Sequence, residues 1–378
     1  YFPSVPFTST KAVLRPSYSV PNVISTPPAV TCPLQAVITV TETRFIYLSS
    51  SRILSSSTKP VISHLTNQAP TPTSINPPTL IPILSKSPDM LLPSPVNPAP
   101  SSSLPNMPNN GQLGSDGNLW AITFSPFNND KTCKSTQSIW ADISLIRLAG
   151  FKAIRVYGTE CSGLESISSA TSFHGMKLIV GIFISESGVS GAKQQVTHIL
   201  EWGKWDIVDL IVIGNEALFN RHTSPQELAE FIKKTKLDLR SAGYNGPCTT
   251  AEPLNIWQEN SGALCDVVDL VGCNIHPFFN PEVDASHAGS FVLSQLQIVE
   301  GICPGKRGIN LECGWPSAGE CNGKACPGKA EQEIAVAGIR SYAGNMSVMF
   351  TYTDDYWKSP GAFKVEQSFG LIKLLTSG

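Results

Sequence analysis

The run Asp206-Ile207-Val208-Asp209-Leu210-Ile211-Val212-Ile213-Gly214-Asn215-Glu216 decides the fold. It is apolar, rich in β-branched residues and too short for a free-standing helix, and it stops at Gly-Asn-Glu. It therefore reads as a buried strand with a carboxylate at its tip. Strands that lose the in/out alternation belong to parallel sheets covered on both faces, and catalytic groups in such barrels collect at the C-terminal ends of the strands. A second run, Gly308-Ile309-Asn310-Leu311-Glu312-Cys313-Gly314-Trp315-Pro316-Ser317, repeats the plan with a short strand, a carboxylate, an aromatic and turn residues. Two strand-tip glutamates accompanied by aromatic platforms point to chemistry on a sugar.

Outward from these two runs the same alternation continues. Strands are predicted at 119–124, 152–157, 177–184, 207–213, 248–251, 267–275, 308–311 and 347–352. Helical patterns fall between and after them at 135–149, 163–173, 190–203, 224–242, 255–264, 288–301, 329–342 and 367–376. The first helix is apolar at Ile139, Ile143, Ile146 and Leu148 and ends at Gly150. Ser224-Pro225-Gln226-Glu227 is a helix start, with a Ser N-cap, Pro at the first helical position and an acid three residues on. Eight strand–helix pairs in a domain of this size predict an α/β fold, a (β/α)8 TIM barrel over 114–378, rather than an open doubly wound sheet.

The chain has 378 residues and a formal charge of −2, but its averages hide two unlike parts. Residues 1–113 are dominated by Ser, Thr, Pro and Asn, as in Ser94-Pro95-Val96-Asn97-Pro98-Ala99-Pro100. Prolines remove amide donors, and the stretch has too little apolar periodicity to offset the entropy of ordering, so a disordered region is expected. Its composition fits an O-glycosylated stalk, with a plain linker as the alternative.

Nine of the ten cysteines lie in the barrel part. No Cys-x-x-Cys, His-x-His or His-Glu-x-x-His pattern occurs, so disulfides in an oxidising compartment are the better reading, and no metal or cofactor is expected. Cys321 and Cys326 are close enough to close a small loop; the other pairings stay open, and the odd count leaves a free thiol or a partner in Cys32. Asn345-Met346-Ser347 is an N-glycosylation sequon. No stretch approaches the apolar length of a membrane span, and neither a signal peptide nor a lipid-anchor tail is read. The near-neutral charge without a basic run argues against nucleic acid, and a monomer is expected.

Candidate site residues sit at strand tips: Tyr157, Glu216, Glu252, His276 and Glu312, joined by Asp354 and Asp355 after the eighth strand. Glu216 and Glu312 can divide the cleavage of a glycosidic bond, one protonating the leaving oxygen while the other attacks or activates water. The bland readings are a loop acid or helix cap for Glu216 and a rim salt bridge for Glu312. Asn215, whose amide donates and accepts, suits a sugar hydroxyl. Trp315 and Trp357 are expected to stack on sugar faces, and Phe278 and Phe279 divide between ligand and core. His276 is expected to be a hydrogen-bonded rim residue, and Asp209 and Asp269 paired structural acids near the barrel floor. A phosphate loop, a dinucleotide motif and a serine-hydrolase elbow are all missing.

Three motifs, Ile213-Gly214-Asn215-Glu216-Ala217-Leu218-Phe219, Asn274-Ile275-His276-Pro277-Phe278-Phe279 and Leu311-Glu312-Cys313-Gly314-Trp315-Pro316-Ser317, together resemble glycoside hydrolase family 17, the β-1,3-glucanases and glucan-remodelling enzymes. Ser125-Pro126-Phe127-Asn128-Asn129-Asp130 with Cys133, Arg155-Val156-Tyr157-Gly158-Thr159-Glu160-Cys161 and Asp355-Tyr356-Trp357-Lys358 are similar to its fungal cell-wall branch. The resemblance covers 118–378. It implies a secreted, wall-associated enzyme acting on β-glucan by retaining double displacement, with Glu216 as acid/base and Glu312 as nucleophile. Retention implies carboxyls roughly 5–5.5 Å apart. Asn215 would bond the 2-hydroxyl, Tyr157 would line the same subsite and Trp315 would support a glucose ring. Cys313 departs from the family's usual Thr and is expected to face away from the cleft, and Thr353-Asp354-Asp355 departs from the expected glutamate and Asp-Glu. Alternatives are a β-1,3-glucanosyltransferase, an enzyme for another β-linked glycan and a non-catalytic glucan-binding protein.

Overall fold

The computed structural model describes residues 113–115 and 117–376. The Ser/Thr/Pro-rich region expected over 1–113 lies outside them except for its last residue. Leu113 is buried beside Trp120 and Leu210 inside the barrel, and its carbonyl accepts from Arg307 Nη1 at 2.7 Å. That residue therefore belongs with the barrel.

Eight parallel strands close on themselves in chain order: Ala121–Thr123 (β1), Ala153–Val156 (β2), Lys177–Ile182 (β3), Val208–Asn215 (β4), Cys248–Pro253 (β5), Val271–Asn274 (β6), Gly308–Cys313 (β7) and Ser347–Met349 (β8). β8 pairs with β1, so no strand edge is left open. The helices are Thr136–Leu148 (α1), Gly163–Phe173 (α2), Gly188–Trp202 (α3), Pro225–Ser241 (α4), Leu254–Leu264 (α5), Ala288–Glu300 (α6), Lys329–Ala343 (α7) and Ile372–Thr376 (α8). This is the TIM barrel that the alternation predicts. α4 begins as read, with Ser224 and Glu227 completing a reciprocal capping box.

The strand pleat divides the core in two. Ala153, Ile179, Leu210, Val212, Ala251, Ile309 and Leu311 fill the barrel interior, while Ile154, Leu178, Ile211, Ile213 and Cys273 pack outward under the helices. The last helix is shorter than the predicted 367–376 because the chain before it stays extended. Thr351 donates to the Phe369 carbonyl, and Leu371 and Ile372 donate back to Thr351 and Tyr352.

Disulfides join Cys133 to Cys161, Cys265 to Cys303 and Cys321 to Cys326. The first ties the loops after β1 and β2, and the second ties the ends of α5 and α6 at the opposite face. Cys248, Cys273 and Cys313 are buried free thiols. Asp269 is paired as expected, with Lys236 at 2.6 Å and Arg240 at 3.4 Å. Burial pushes the Asp209 carboxyl up to about 6, against the pull of Lys177. Among the described residues no helix is long and apolar enough to cross a membrane.

Candidate active site

The site is assembled at the C-terminal mouth of the barrel by two kinds of strand. β2 is regular: Ala153 points inward, so Arg155 and Tyr157, two and four residues on, do as well. β4 and β7 are not. Between Val212 and Asn215, β4 spends three steps against two of β5, and between Asn310 and Cys313, β7 spends three against two of β8. The strands that lead to Glu216 and Glu312 thus each hold one extra residue near their tips, which re-aims the side chains beyond it. In β4 the irregularity passes through Gly214 at φ +87°, a conformation that only glycine adopts without steric cost. Glu216 follows at φ +50°, left-handed, a state disfavoured by roughly 1–2 kcal/mol for a residue with a Cβ.

The side chains brought together form one network. Arg155, 1% exposed, donates through Nη2 to Asn215 Oδ1 at 2.7 Å and through Nη1 to the Leu311 carbonyl and to Glu312 Oε1, the latter at 3.3 Å. A charge buried this far needs such partners. Asn274 Nδ2 donates to Glu216 Oε1 at 3.0 Å and to Asn215 Oδ1 at 3.2 Å. His276 Nε2 lies 3.2 Å from Glu312 Oε2, and its ring is held edge-on by Phe350 and Phe369. Tyr157 covers the Arg155 guanidinium, 4.7 Å from ring centroid to cation. Asn274 Oδ1 is buried without a protein partner, and the buried Tyr157 hydroxyl is directed at Glu312, whose carboxylate it favours.

Both carboxyls open into one cavity of about 570 Å³ walled by Phe219, Phe279, Leu254, Phe291 and Phe369. Their environments push them apart. Burial, then the charge of Glu312, raises the Glu216 carboxyl above the usual range, against the Asn274 hydrogen bond and the more distant His276 and Arg155. Burial also acts to raise Glu312, but the His276 hydrogen bond and the Arg155 charge overcome it and hold that carboxyl down at about 2. The site therefore pairs a carboxyl that holds its proton more readily than usual with one that stays ionised, both lining one cavity.

Residues 121–370 match the BtgE/BtgC glycoside hydrolase domain. The chain belongs to that family. It is similar to the probable beta-glucosidase btgE of Aspergillus clavatus, 48% identical over 263 residues, which span 70% of this chain and 45% of that one. The btgE protein of Aspergillus terreus is 48% identical over 272 residues, 72% of this chain and 48% of the relative. The chain thus spans about half the length of the curated relatives it matches. Among solved structures, an active-site mutant of Rhizomucor miehei beta-1,3-glucanosyltransferase in complex with laminaritriose has a TM-score of 0.59 and 21% identity, over 67% of this chain and 92% of that one. An endo-laminarinase from Formosa has a TM-score of 0.57 and 17% identity, over 67% of this chain and 83% of its own. Likeness at this level of identity shows the shared fold.

On this family's barrel, five of the residues singled out from the sequence come together: Glu216, Glu312 and His276 line the cavity, and Asn215 and Tyr157 stand behind them around Arg155. Others do not. Glu252 is wholly buried, because β5 keeps its pleat and Ala251 already takes the inward position. Its carboxyl instead accepts from the amides of Leu218 and Phe219 at 2.9 and 3.2 Å, and burial pushes it up to about 7. Trp315 is 0% exposed: its indole donates to the Cys326 carbonyl and its ring packs edge-on against Phe278, which is equally buried. The exposed neighbour Phe279 takes the cleft position expected of these aromatics. Asp355 is committed to its own loop, holding Trp357 Nε1 and Lys358 Nζ at 3.1 and 2.8 Å. Trp357 packs on Phe127 and is not among the residues lining the cavity.

Arg155, Asn274 and Phe219 were not singled out as site residues from the sequence. Arg155 carried a usable signal, since a cation inside Ala153-Ile154-Arg155-Val156 must find a buried partner, and it shares a strand face with Tyr157. Asn274, like Asn215, is an amide ending a buried strand. Nothing in the sequence marks Phe219. Cys313 lies outside the cleft, as expected, and burial pushes its thiol far up.

Proposed function

We propose that this chain is a secreted, cell-wall glycoside hydrolase of the family 17 type that cleaves β-1,3-glucan with retention of configuration. The observation that carries the reading is the opposite displacement of two carboxyls lining one cavity, Glu216 upward and Glu312 downward. Ionised Glu312 attacks the anomeric carbon, the glycosidic C–O bond breaks, and protonated Glu216 gives its proton to the departing sugar oxygen. The glucosyl ester on Glu312 is then released when Glu216, now a carboxylate, takes a proton from an incoming water whose oxygen attacks the same carbon. Asn274, which lines the cavity, has a buried oxygen without a protein partner to offer a sugar hydroxyl, and Asn215 is held beside it by Arg155 and Asn274. A β-glucan substrate agrees with the names of the fungal relatives and with the laminaritriose bound by the Rhizomucor neighbour. The three disulfides among the described residues suit an oxidising, extracellular setting.

A second reading, glucanosyl transfer, is favoured by the apolar cavity wall next to Glu216. Phe219 and Phe279, 53% and 42% exposed, offer faces on which an acceptor sugar can displace water. Laminarihexaose labelled at its reducing end separates the two. Shorter products alone indicate hydrolysis, and products longer than the hexaose indicate transfer. The first product should appear as the β-anomer by NMR; Glu312→Gln should abolish turnover of the hexaose and Glu216→Gln should lower it by about 10²- to 10⁴-fold, each with the fold intact. Turnover persisting in both variants, or a first-formed α-anomer, would overturn the reading.

A further inference from the structure

Glu252 is a buried carboxyl with no place in that mechanism, and its hydrogen bonds lead to it. Its two oxygens accept the amides of Leu218 and Phe219, at 2.9 and 3.2 Å, in the tight turn that follows β4. The turn closes on itself, Asn220 N to the Glu216 carbonyl at 2.9 Å and His222 N to the Ala217 carbonyl at 2.8 Å, so its first amides are free as at a helix N-terminus. Glu216 opens this turn in the left-handed conformation, and its own amide is fixed to the Ala251 carbonyl, one residue before Glu252, at 2.7 Å. A strained residue persists only where its surroundings over-determine it. Here β5 supplies both clamps: the Ala251 carbonyl on Glu216 and the Glu252 carboxyl on the two amides beyond.

We propose that Glu252 is a positioning residue for proton transfer: by anchoring the amides of Leu218 and Phe219 it holds the Glu216 turn in the conformation that aims the acid into the cleft. The proposal rests on the reading of Glu216 as acid/base. Glu252 touches no sugar. It sits on the outer face of β5, behind the barrel wall, and acts only through the backbone of the turn. The same anchor sets Phe219, so the cleft wall and the acid are placed together.

A structural residue and a residue that aims an acid differ in how they respond to the leaving group. Departure of a sugar needs its oxygen protonated, whereas a dinitrophenolate leaves with little help from an acid. The experiment compares kcat/KM, which reports formation of the glucosyl-enzyme, for laminarihexaose and for 2,4-dinitrophenyl β-laminaribioside in the wild type, Glu216→Gln and Glu252→Gln. The ratio of the two values is independent of the folded fraction of a sample. Glu216→Gln should lose about 10²- to 10⁴-fold on the hexaose with far less change on the aryl substrate. Glu252→Gln keeps one acceptor oxygen but sets an NH₂ against the second amide; since a misplacement of about 1 Å can lose 10²-fold, it should show the same selective loss at about ten- to hundredfold. Should that variant fail to fold, Glu252→Asp, which keeps both oxygens one methylene further back, should show a smaller selective loss. An equal loss on both substrates, or none, would reduce Glu252 to a packing role and overturn the proposal. If Glu216→Gln itself shows no leaving-group selectivity, the acid/base assignment falls and the proposal falls with it.

Discussion

Replacing Arg155 by methionine keeps most of the side-chain volume and removes the buried guanidinium on which the proposed nucleophile depends. The Leu311 carbonyl, Glu312 Oε1 and Asn215 Oδ1 all lose a donor in a site that is 1% exposed at Arg155 and 7% at Glu312. Breaking a buried pair from one side is destabilising by about 3–5 kcal/mol. The same balance shows in acidity: against burial, Glu312 is held at about 2 instead of 4.5 by the His276 hydrogen bond first and then by Arg155 and Tyr157. At about 1.4 kcal/mol per tenfold change this is a net preference for the carboxylate of roughly 3 kcal/mol, of which Arg155 supplies a part. The sign follows from linkage. The folded pKa lies below the unfolded one, so this stabilisation is fully present above about pH 4.3 and is lost as pH falls from there through 2. In Arg155→Met burial raises the carboxyl with His276 and Tyr157 left to oppose it.

Urea unfolding of wild type, Arg155→Met, Glu312→Gln and the double variant at pH 7 and pH 3 measures the effect. We expect Arg155→Met to be less stable than wild type by about 3 kcal/mol at pH 7, with the gap narrowing at pH 3 as the raised Glu312 carboxyl of the variant takes up a proton. The double variant should recover part of the loss, because neither partner is then left charged and alone. The acidic limb of kcat/KM should move to higher pH in Arg155→Met. Single-variant losses that add to within about 0.5 kcal/mol in the double variant, or a gap that is the same at both pH values, would refute the argument.

Two further outcomes follow from the same geometry. In Glu312→Gln the Glu216 carboxyl should titrate lower than in wild type, since the Glu312 charge is the second largest influence raising it; carboxyl ¹³C NMR reads this directly, and an unmoved titration would show that the two acids are not electrostatically linked. Trp315→Ala should lower stability by about 3–5 kcal/mol through the cavity it leaves, whereas Phe279→Ala, on the exposed cleft wall, should leave the melting temperature nearly unchanged and raise KM for laminarihexaose; the reverse pattern would put Trp315 at the ligand.

The barrel was legible because its signal is redundant. Eight apolar runs alternating with helical patterns survive errors of several residues at each end, and even the short fifth strand falls at β5, Cys248–Pro253, two residues longer than its prediction over 248–251. The two glutamates were legible as carboxylates at the tips of buried runs, a signal that Glu252 shares although its side chain turns the other way. The aromatic assignments failed where backbone geometry, which no composition reveals, decides the direction of a side chain. Gly314 is one such point: a Cβ there would meet the Phe350 carbonyl at 2.2 Å, so the chain passes close under β8 on its way to Trp315. The indole then lies on Phe278 and the Cys326 carbonyl instead of facing a sugar. Phe279, one residue beyond Phe278, takes the exposed side at the cleft.

Glu252, Glu216 and Glu312 show why strand alternation misleads most where function is concentrated. A strict two-residue period starting from inward Ile309 and Leu311 would turn Glu312 outward, and one starting from inward Val212 would turn Asn215 outward. The extra residue in each of β7 and β4 breaks that period and brings both side chains to the mouth. β5 has no such insertion against β6, so the same rule holds there and sends Glu252 behind the wall. The irregular strands thus present the acids, and the regular one between β4 and β6 anchors the turn that Glu216 opens. Local rules of sequence are expected to fail at sites that store strain, and an extra strand residue followed by a left-handed glutamate is such a site. It follows that shortening β4 by deleting Gly214 should do more than lose one residue: restoring the pleat would turn Asn215 and Glu216 to opposite faces, leaving a barrel that folds with its carboxyl pair undone.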